Sequence, residues 1–200
     1  MEWSQLSPLT INPDADGVLS ALETPKKIIM SLKPAVSNTD HAQGNLNADL
    51  VIVEYGDYQC PYCGAAYPVL KELMNQFGSQ IKFVFRNFPL SEMHEYARTA
   101  ALAAEAAALQ NKFWEMHDAI YENQQNLNEH LLLELAKELK LNIPQFKSDL
   151  ESFELKDKVD EDFASGIVSG VNGTPSFYVN GKKFEGTAED LFQLVGAEKE

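Results

Sequence analysis

Residues 50–63 read LVIVEYGDYQCPYC and decide how the rest of the sequence is interpreted. The stretch opens with four aliphatic residues, which is typical of a strand buried on both faces of a sheet. A short polar turn follows, and Pro61 then marks a helix start, because proline suits the first helical position. Cys60 and Cys63, the two cysteines of the chain, therefore lie where a predicted central strand gives way to a predicted helix.

The predicted helix has one apolar face. Apolar residues recur at intervals of three and four from Cys63 to Phe77, and Gly78 marks its expected end. Residues 81–88 then alternate apolar and charged side chains, which predicts a second strand. Since a strand, a helix and a strand follow one another within residues 50–88, we expect a parallel crossover.

The middle of the chain has the pattern of several helices. Residues 97–108 hold eight alanines in twelve positions, and apolar residues at helical spacing continue to Ile167. From residue 176 two short strand-like runs flank Asn180-Gly181, a strong hairpin signal because both turn positions need positive φ. Thr187 is predicted to cap a last helix. The expected order is β-α-β, a block of helices over about 91–170, then β-β-α.

Size and charge exclude several classes of function. The chain has 200 residues, 44% of them apolar, which is enough for one domain with a buried core. Sixteen basic and thirty acidic residues give a formal net charge of −14, which repels nucleic acid and anionic surfaces. We therefore expect no nucleic-acid partner. No membrane span is expected either, because no apolar run approaches roughly 18 residues.

The first 35 residues are interpreted as an N-terminal extension, and residues 36–200 as one domain. The extension contains four prolines and one short helix candidate at about 16–22. No secretory signal is visible after Met1, so the expected location is cytoplasmic. A periplasmic or exported location is expected instead if Met1 is not the native start.

Two thiols three positions apart at a helix start can form a reversible disulfide. Free N–H groups and the helix dipole favour the thiolate at Cys60, which is therefore the predicted nucleophile. It would attack a substrate disulfide, and Cys63, the shielded resolving thiol, would then break the mixed disulfide; the reverse steps oxidise a substrate dithiol. Because Tyr62 carries no full positive charge, we expect a less oxidising pair than one with histidine at that position.

Several motifs together resemble the DsbA-type branch of the thioredoxin superfamily, over residues 36–198. The resemblance implies an α/β, thioredoxin-like fold with a helical insertion. It also implies thiol-disulfide oxidoreductase activity on protein thiols or disulfides, with a redox-recycling partner and no cofactor. The motifs are VEYGDYQCPYC at 53–63, FRNFPL at 85–90, the alanine-rich helix, KFWEMHD at 112–118 and GTPSFYVNG at 173–181.

The resemblance also assigns roles to individual positions. Glu54 matches the family's buried acid beneath the disulfide, which shuttles the proton of the resolving thiol, and burial would raise its pKa. Thr174 and Pro175 match the loop that faces the disulfide, where the proline is cis and the preceding backbone pairs with substrate. Beside these positions, Pro61 and Tyr62 are the other predicted substrate contacts. Tyr62, with Tyr55 and Tyr58, flanks the thiols, and these rings are expected either to form a landing surface for substrate or to pack the loop.

Other interpretations of the same residues stay open. Cys60 and Cys63 have the spacing of half a zinc site, although the four histidines form no matching pair and no metal is predicted. A non-catalytic protein-binding module on the same fold would use the groove around Pro175. The direction of exchange also stays open. His117 lies on an apolar helix face and is interpreted as a core histidine rather than a catalyst.

Overall fold

A computed structural model describes residues 30–197, so the short helix predicted at about 16–22 lies outside the described residues. Five strands form one mixed sheet. They are β1 (His41–Gly44), β2 (Leu50–Gly56), β3 (Ile81–Asn87), β4 (Ser176–Val179) and β5 (Lys182–Phe184). The strand order is β1-β3-β2-β4-β5, with β2 parallel to β3 and the other neighbours antiparallel. The predicted thioredoxin-like α/β fold is confirmed, with β2 at the centre of the sheet.

Seven α-helices accompany this sheet within the described residues. They are α1 (Pro61–Phe77), α2 (Ala97–Ala108), α3 (Phe113–Glu122), α4 (Glu129–Glu138), α5 (Ile143–Leu150), α6 (Phe153–Ser169) and α7 (Ala188–Ala197). Helices α1 and α7 share one apolar cluster with strands β2 to β4, whereas α2 to α6 contribute to a second cluster that includes both cysteines. The catalytic candidates therefore lie where the sheet meets the helical insertion. Every helix among residues 30–197 is too short or too polar to span a lipid bilayer.

Short sequence patterns correctly predicted several helix starts and the hairpin turn. Asn128 caps α4 by accepting a hydrogen bond from the Leu131 amide at 3.0 Å. Thr187 and Asp190 form a reciprocal capping box at α7, in which each side chain accepts from the other's amide. The hairpin turn is also confirmed, with φ of 48° at Asn180 and 77° at Gly181.

Strand β1 was not predicted. Its sequence, HAQG, pairs with β3 only, at the edge of the sheet, and its residues are half-buried or exposed, so it carries no apolar alternation. Tertiary contacts hold it instead. The His41 ring stacks on Phe113 with centroids 3.5 Å apart, and its Nε2 lies 2.8 Å from a carboxylate oxygen of Glu105.

The last residues of the predicted extension contact the domain. The Leu32 amide donates to the Gly181 carbonyl at 2.8 Å, and the Lys33 amide donates to Ser169 Oγ at 2.8 Å. A boundary at residue 35 stays a prediction.

A buried ion pair fixes this part of the chain to the sheet. Arg86 Nε lies 2.7 Å from Asp40 Oδ1, and Arg86 Nη2 lies 3.0 Å from Asp40 Oδ2, with both side chains at most 5% exposed. The same guanidinium donates to Tyr55 Oη and to the Pro34 carbonyl. Burial alone would raise the pKa of Asp40, but the hydrogen bonds from Arg86 and the Ser37 amide hold it below its ordinary value.

We expect Asp40→Asn to lower the free energy of unfolding by about 3–5 kcal/mol at pH 7, because it leaves the Arg86 charge buried without its counter-ion. The control is Asp160→Asn, which breaks the exposed pair with Arg98 and should cost under about 1 kcal/mol. Urea unfolding measures both. Since the pKa of Asp40 is lowered, its contribution is present above pH 4 and is lost as the pH falls through the folded-state pKa. Equal losses in the two variants would contradict this assignment.

Candidate active site

The two cysteines stand at the start of α1 as free thiols. Cys60 has extended backbone angles, φ −68° and ψ 122°, and immediately precedes the first helical residue, Pro61. Both thiols are buried, at 3% exposure for Cys60 and 1% for Cys63. The Cys60 sulfur lies 3.4 Å from the Thr174 carbonyl oxygen, so the loop before β4 faces this thiol.

Hydrogen bonds favour the charged form of Cys60. The hydrogen bond from the Cys63 thiol lowers the pKa of Cys60 most, whereas burial raises this pKa. Hydrogen bonds from the Thr174 side chain and from the backbone amides of Cys63 and Tyr62 lower it further. Together they lower the pKa of Cys60 to about 5. Two of these donors are amides at the helix start, which is the effect expected from the sequence. The Cys60 thiolate is therefore the major form at neutral pH.

Cys63 has the opposite character. Burial raises the pKa of Cys63, and the hydrogen bond to Cys60 and the negative charges of Glu54 and Cys60 raise it further. The Asp57 amide donates to the Cys63 sulfur at 3.5 Å and offsets only part of this effect. Cys63 consequently stays a thiol while Cys60 is ionised.

Glu54 lies on β2 beneath the cysteines and is 2% exposed. Burial, followed by the negative charge of Cys60, raises the pKa of Glu54 to about 8. Its side chain lines a cavity of about 20 Å³ together with residues from α1 and α3. A carboxyl with this pKa can both accept and release a proton near neutral pH.

The loop before β4 completes one side of the site. The Thr174–Pro175 peptide bond is cis, and Thr174 is almost fully buried. A groove of about 300 Å³ runs beside this loop, lined among others by Tyr62, Pro175 and Glu189. Tyr62 is 75% exposed, whereas Tyr55 and Tyr58 are buried and pack the interior. The structure thus brings all of the predicted site residues together.

The sequence did not predict a role for Gln124, which hydrogen-bonds to the loop before α1, here called the cysteine loop (residues 57–60). This residue lies in a short 3-10 helix between α3 and α4, and its Nε2 donates to the carbonyls of Tyr58 and Cys60, each at 2.9 Å. A β-carbon at Gly64 would overlap the Gln124 side chain, so the two residues fit each other closely. No local pattern marks such a pair, because 60 positions separate the two residues.

Asp57 was also missed as a site residue, although it falls within the quoted stretch. Its carboxylate accepts from the Gln59 amide at 2.8 Å and from the Leu90 amide at 2.9 Å, and it pairs with His94 Nδ1 at 2.7 Å. These contacts join the loop before α1 to the loop after β3. They fix the backbone that presents both cysteines.

The described residues contain no group of three or more His, Cys, Asp or Glu side chains that could hold a metal ion. A tetrahedral zinc site needs four ligands, and Cys60 and Cys63 would supply two. Within residues 30–197 the zinc interpretation therefore gains no support.

Comparison with known proteins agrees with this geometry. Residues 36–196 match the family model described as Thioredoxin. A thioredoxin-like oxidoreductase from Silicibacter pomeroyi superposes with a TM-score of 0.70 at 29% identity, over 82% of this chain and 94% of that one. The thiol-disulfide exchange protein alpha-DsbA2 from Wolbachia pipientis gives 0.71 at 21% identity, over 81% and 88%. The predicted thioredoxin superfamily is confirmed by the family model, and the DsbA2 structure shares the same fold.

A relative of another kind contains a similar segment. The Na+/H+ antiporter NhaA 1 from Salinispora arenicola is 39% identical over 175 residues, which cover 88% of this chain. The matching segment is 27% of that protein, so this chain spans about a quarter of its length.

Because Gly64 packs against Gln124, the effect of Gly64→Ala on the free energy of unfolding should depend on whether Gln124 is present. Gly64→Ala alone should lower the free energy of unfolding by about 1–3 kcal/mol, because it displaces Gln124 from two carbonyls. In a Gln124→Ala background the overlap is gone, and the same change should be neutral or stabilising by up to about 1 kcal/mol, the helix propensity of alanine over glycine. Urea unfolding of the four proteins measures this, and additive effects would contradict it.

The raised pKa of Glu54 predicts how stability depends on pH. The folded state keeps a proton that the unfolded chain loses above its ordinary value of 4.5, so stability should fall as the pH rises from 4.5 to about 8. Glu54→Gln should remove this fall, which we expect to be roughly 3 kcal/mol. Denaturant unfolding between pH 5 and 8 measures it. Both proteins should carry Cys60→Ser, because reduced Cys60 titrates with the opposite sign; burial, the larger cause of the Glu54 shift, remains in this background. A parallel fall in both proteins would count against the assignment.

Proposed function

Because this chain belongs to the thioredoxin family, we propose that it is a DsbA-like thiol-disulfide oxidoreductase that acts through Cys60 and Cys63. One observation carries the proposal. Two adjacent thiols at the start of α1 have opposite pKa shifts, so one is ionised and the other protonated at the same pH. This is the arrangement that thiol-disulfide exchange requires of an attacking and a resolving thiol.

In the reducing direction the Cys60 thiolate attacks a substrate disulfide. A Cys60–substrate S–S bond forms, the substrate S–S bond breaks, and one substrate sulfur leaves as a thiolate. Cys63 then loses its proton and attacks the Cys60 sulfur, which forms the Cys60–Cys63 disulfide and releases the second substrate sulfur. The substrate is reduced by two electrons, and the cysteine pair is oxidised. The same steps in reverse oxidise a substrate dithiol.

Glu54 is proposed to take the proton from Cys63 and to return it in the reverse direction. Its position under the cysteine pair and its pKa of about 8 support this role, since a base must match the operating pH. At neutral pH the carboxyl exchanges protons readily, whereas an exposed glutamate would stay ionised.

The substrate class that we propose is an extended segment of another protein. The Thr174–Pro175 loop faces Cys60, and the groove beside it carries the exposed ring of Tyr62. A flexible chain laid along this loop would place a cysteine at Cys60. A second protein or a small thiol must then restore the cysteine pair, which makes a redox-recycling partner part of the proposal.

The reduction potential decides the direction of the reaction. Stabilising the Cys60 thiolate stabilises the reduced form, and this favours donation of the disulfide to substrates. Tyr62 still predicts a weaker oxidant than a histidine would give. Equilibration in glutathione buffers, with alkylation of free thiols and mass spectrometry, measures the potential. A value above that of the cytosolic glutathione pool would support a disulfide donor and an exported location. A value at or below it would support a cytoplasmic reductase.

Variants of the two cysteines test the proposal directly. Cys60→Ser should abolish exchange with a fluorescent disulfide peptide, because the nucleophile is lost. Cys63→Ser should leave the first attack intact and accumulate the Cys60–peptide mixed disulfide, which gel electrophoresis without reductant detects. Asp160→Asn is the control, since it changes an exposed ion pair with Arg98 and leaves both thiols and the groove intact. Exchange that persists in Cys60→Ser would overturn the proposal, and equal peptide binding by oxidised and reduced protein without exchange would favour the binding module.

A further inference from the structure

The cavity beneath the active site offers Glu54 a connection to the outside. Glu54 is 2% exposed, so a proton taken from Cys63 has no direct access to solvent. The cavity measures about 20 Å³, which is room for one water molecule. Its polar lining comes from β1, β2, α1 and α3, and includes Gln43, Glu54, Tyr67, Lys71, His117, Asp118 and Tyr121.

His117 lines this cavity from α3 with one nitrogen unpaired. It is 5% exposed, and its Nδ1 lies 3.2 Å from Asp118 Oδ1. Its Nε2 is buried and has no hydrogen-bond partner among residues 30–197, and the same holds for Tyr121 Oη. Leaving such atoms unpaired is costly, so their clustering at one small cavity calls for a physical explanation.

Asp118 and Lys71 connect this histidine to the surface. Asp118 pairs with Lys71 from α1 through its second carboxylate oxygen. The side chains of Asp118 and Lys71 are 25% and 47% exposed, against 6% for His117. Polar groups therefore run from the buried cavity to solvent in steps of increasing exposure.

We propose that His117 relays protons between Glu54 and solvent, by way of one water in the cavity and the Asp118–Lys71 pair. The inference rests on the proposed function, because thiol-disulfide exchange is the reaction that would protonate and deprotonate Glu54. His117 is thus a positioning residue for proton transfer rather than a group that touches the reacting sulfurs.

The proton balance closes over one catalytic cycle. The neutral imidazole donates from Nδ1 to Asp118 and accepts at Nε2. When the cysteine pair is oxidised, Glu54 passes a proton through the water to Nε2, and the Nδ1 proton moves to Asp118 and on to solvent. When the pair is reduced again, a proton returns along the same path to Glu54, which restores the original tautomer.

The charges around His117 support a neutral ring. Burial lowers the pKa of His117, Lys71 and His41 lower it further, and Asp118 opposes them. A ring that stays neutral near pH 7 keeps Nε2 free to accept. The titratable groups that face it are His41 from β1, Glu54 from β2, Tyr58 from the following loop, Lys71 and Tyr67 from α1, and Asp118 and Tyr121 from α3.

Two substitutions of the same residue separate proton relay from packing. His117→Phe keeps an aromatic ring of similar size but cannot carry a proton, whereas His117→Ala opens space that imidazole can enter. The probe is Ellman's reagent, added below the protein concentration to the reduced full-length chain. Cys60 releases one thionitrobenzoate when it forms the mixed disulfide, and Cys63 releases the second when it resolves it. The rate of the second phase measures the step that involves Glu54.

We expect both variants to slow the second phase on the order of tenfold or more at pH 6–7, where protonated Glu54 must first release its proton. The slowing should largely disappear at pH 9, where Glu54 is already ionised. Imidazole should accelerate His117→Ala but not His117→Phe. The first phase and its pH midpoint, which report the Cys60 thiolate, should match the wild type. His130→Gln is the control, because it removes a histidine that is 82% exposed and does not line the cavity.

Three outcomes would overturn the inference: a wild-type second phase in His117→Phe, slowing that is equal at pH 6 and pH 9, or no acceleration of His117→Ala by imidazole. Failure of the proposed function itself looks different, since the wild-type protein would then show no second phase at any pH.

Discussion

The removal of water from the end of strand β2 is the constraint on which the chemistry depends. Glu54 and Cys63 are both almost fully buried there, and burial is the largest cause of the raised pKa of each. Cys60, one helical turn away, receives enough hydrogen bonds to be ionised in spite of its burial. Near neutral pH the site therefore holds one negative charge, on Cys60, while Glu54 and Cys63 are mainly protonated.

These pKa shifts depend on close contacts, so the backbone that carries Cys60 and Cys63 must be held in a fixed position. Asp57 and Gln124 supply this rigidity from opposite sides, since Asp57 ties the cysteine loop to the loop after β3 and Gln124 ties it to the helical insertion. Thr174 approaches Cys60 from a third direction. The contacts of Asp57 and Gln124 are hydrogen bonds with fixed geometry, and the Thr174 carbonyl oxygen lies 3.4 Å from the Cys60 sulfur, so the cysteine loop and the loop before β4 are held in a defined arrangement.

Buried charges on the other side of β3 hold the insertion against the sheet. Glu105 of α2 accepts from the Asn87 side chain at 2.7 Å and pairs with His41, while Asp162 of α6 accepts from the Asn87 amide at 3.1 Å and pairs with Lys158. Each carboxylate has more than one partner, as a buried charge requires. The insertion that carries His117 and Gln124 is thus positioned by polar contacts as well as by apolar packing.

The sequence by itself determined the elements whose signals are local. The aliphatic run of β2, the apolar face of α1, the Asn180-Gly181 turn and the helix caps each depend on neighbouring residues, so they could be read without the fold. The cysteine pair and Pro61 were predictable for the same reason. The roles of Glu54, Thr174 and Pro175 came from resemblance, because nothing local distinguishes a buried acid from a strand-end carboxylate.

Only the tertiary structure decided the remainder. Strand β1 pairs at a sheet edge and lacks an apolar pattern, Gln124 meets Cys60 across 64 positions, and Asp57 reaches Leu90 in another loop. His117 appears in the sequence as an ordinary core histidine, and its unpaired nitrogen becomes apparent only when α1, α3 and β2 enclose a cavity beside Glu54. Long-range packing creates these relations, and the order of residues along the chain does not encode them as a pattern.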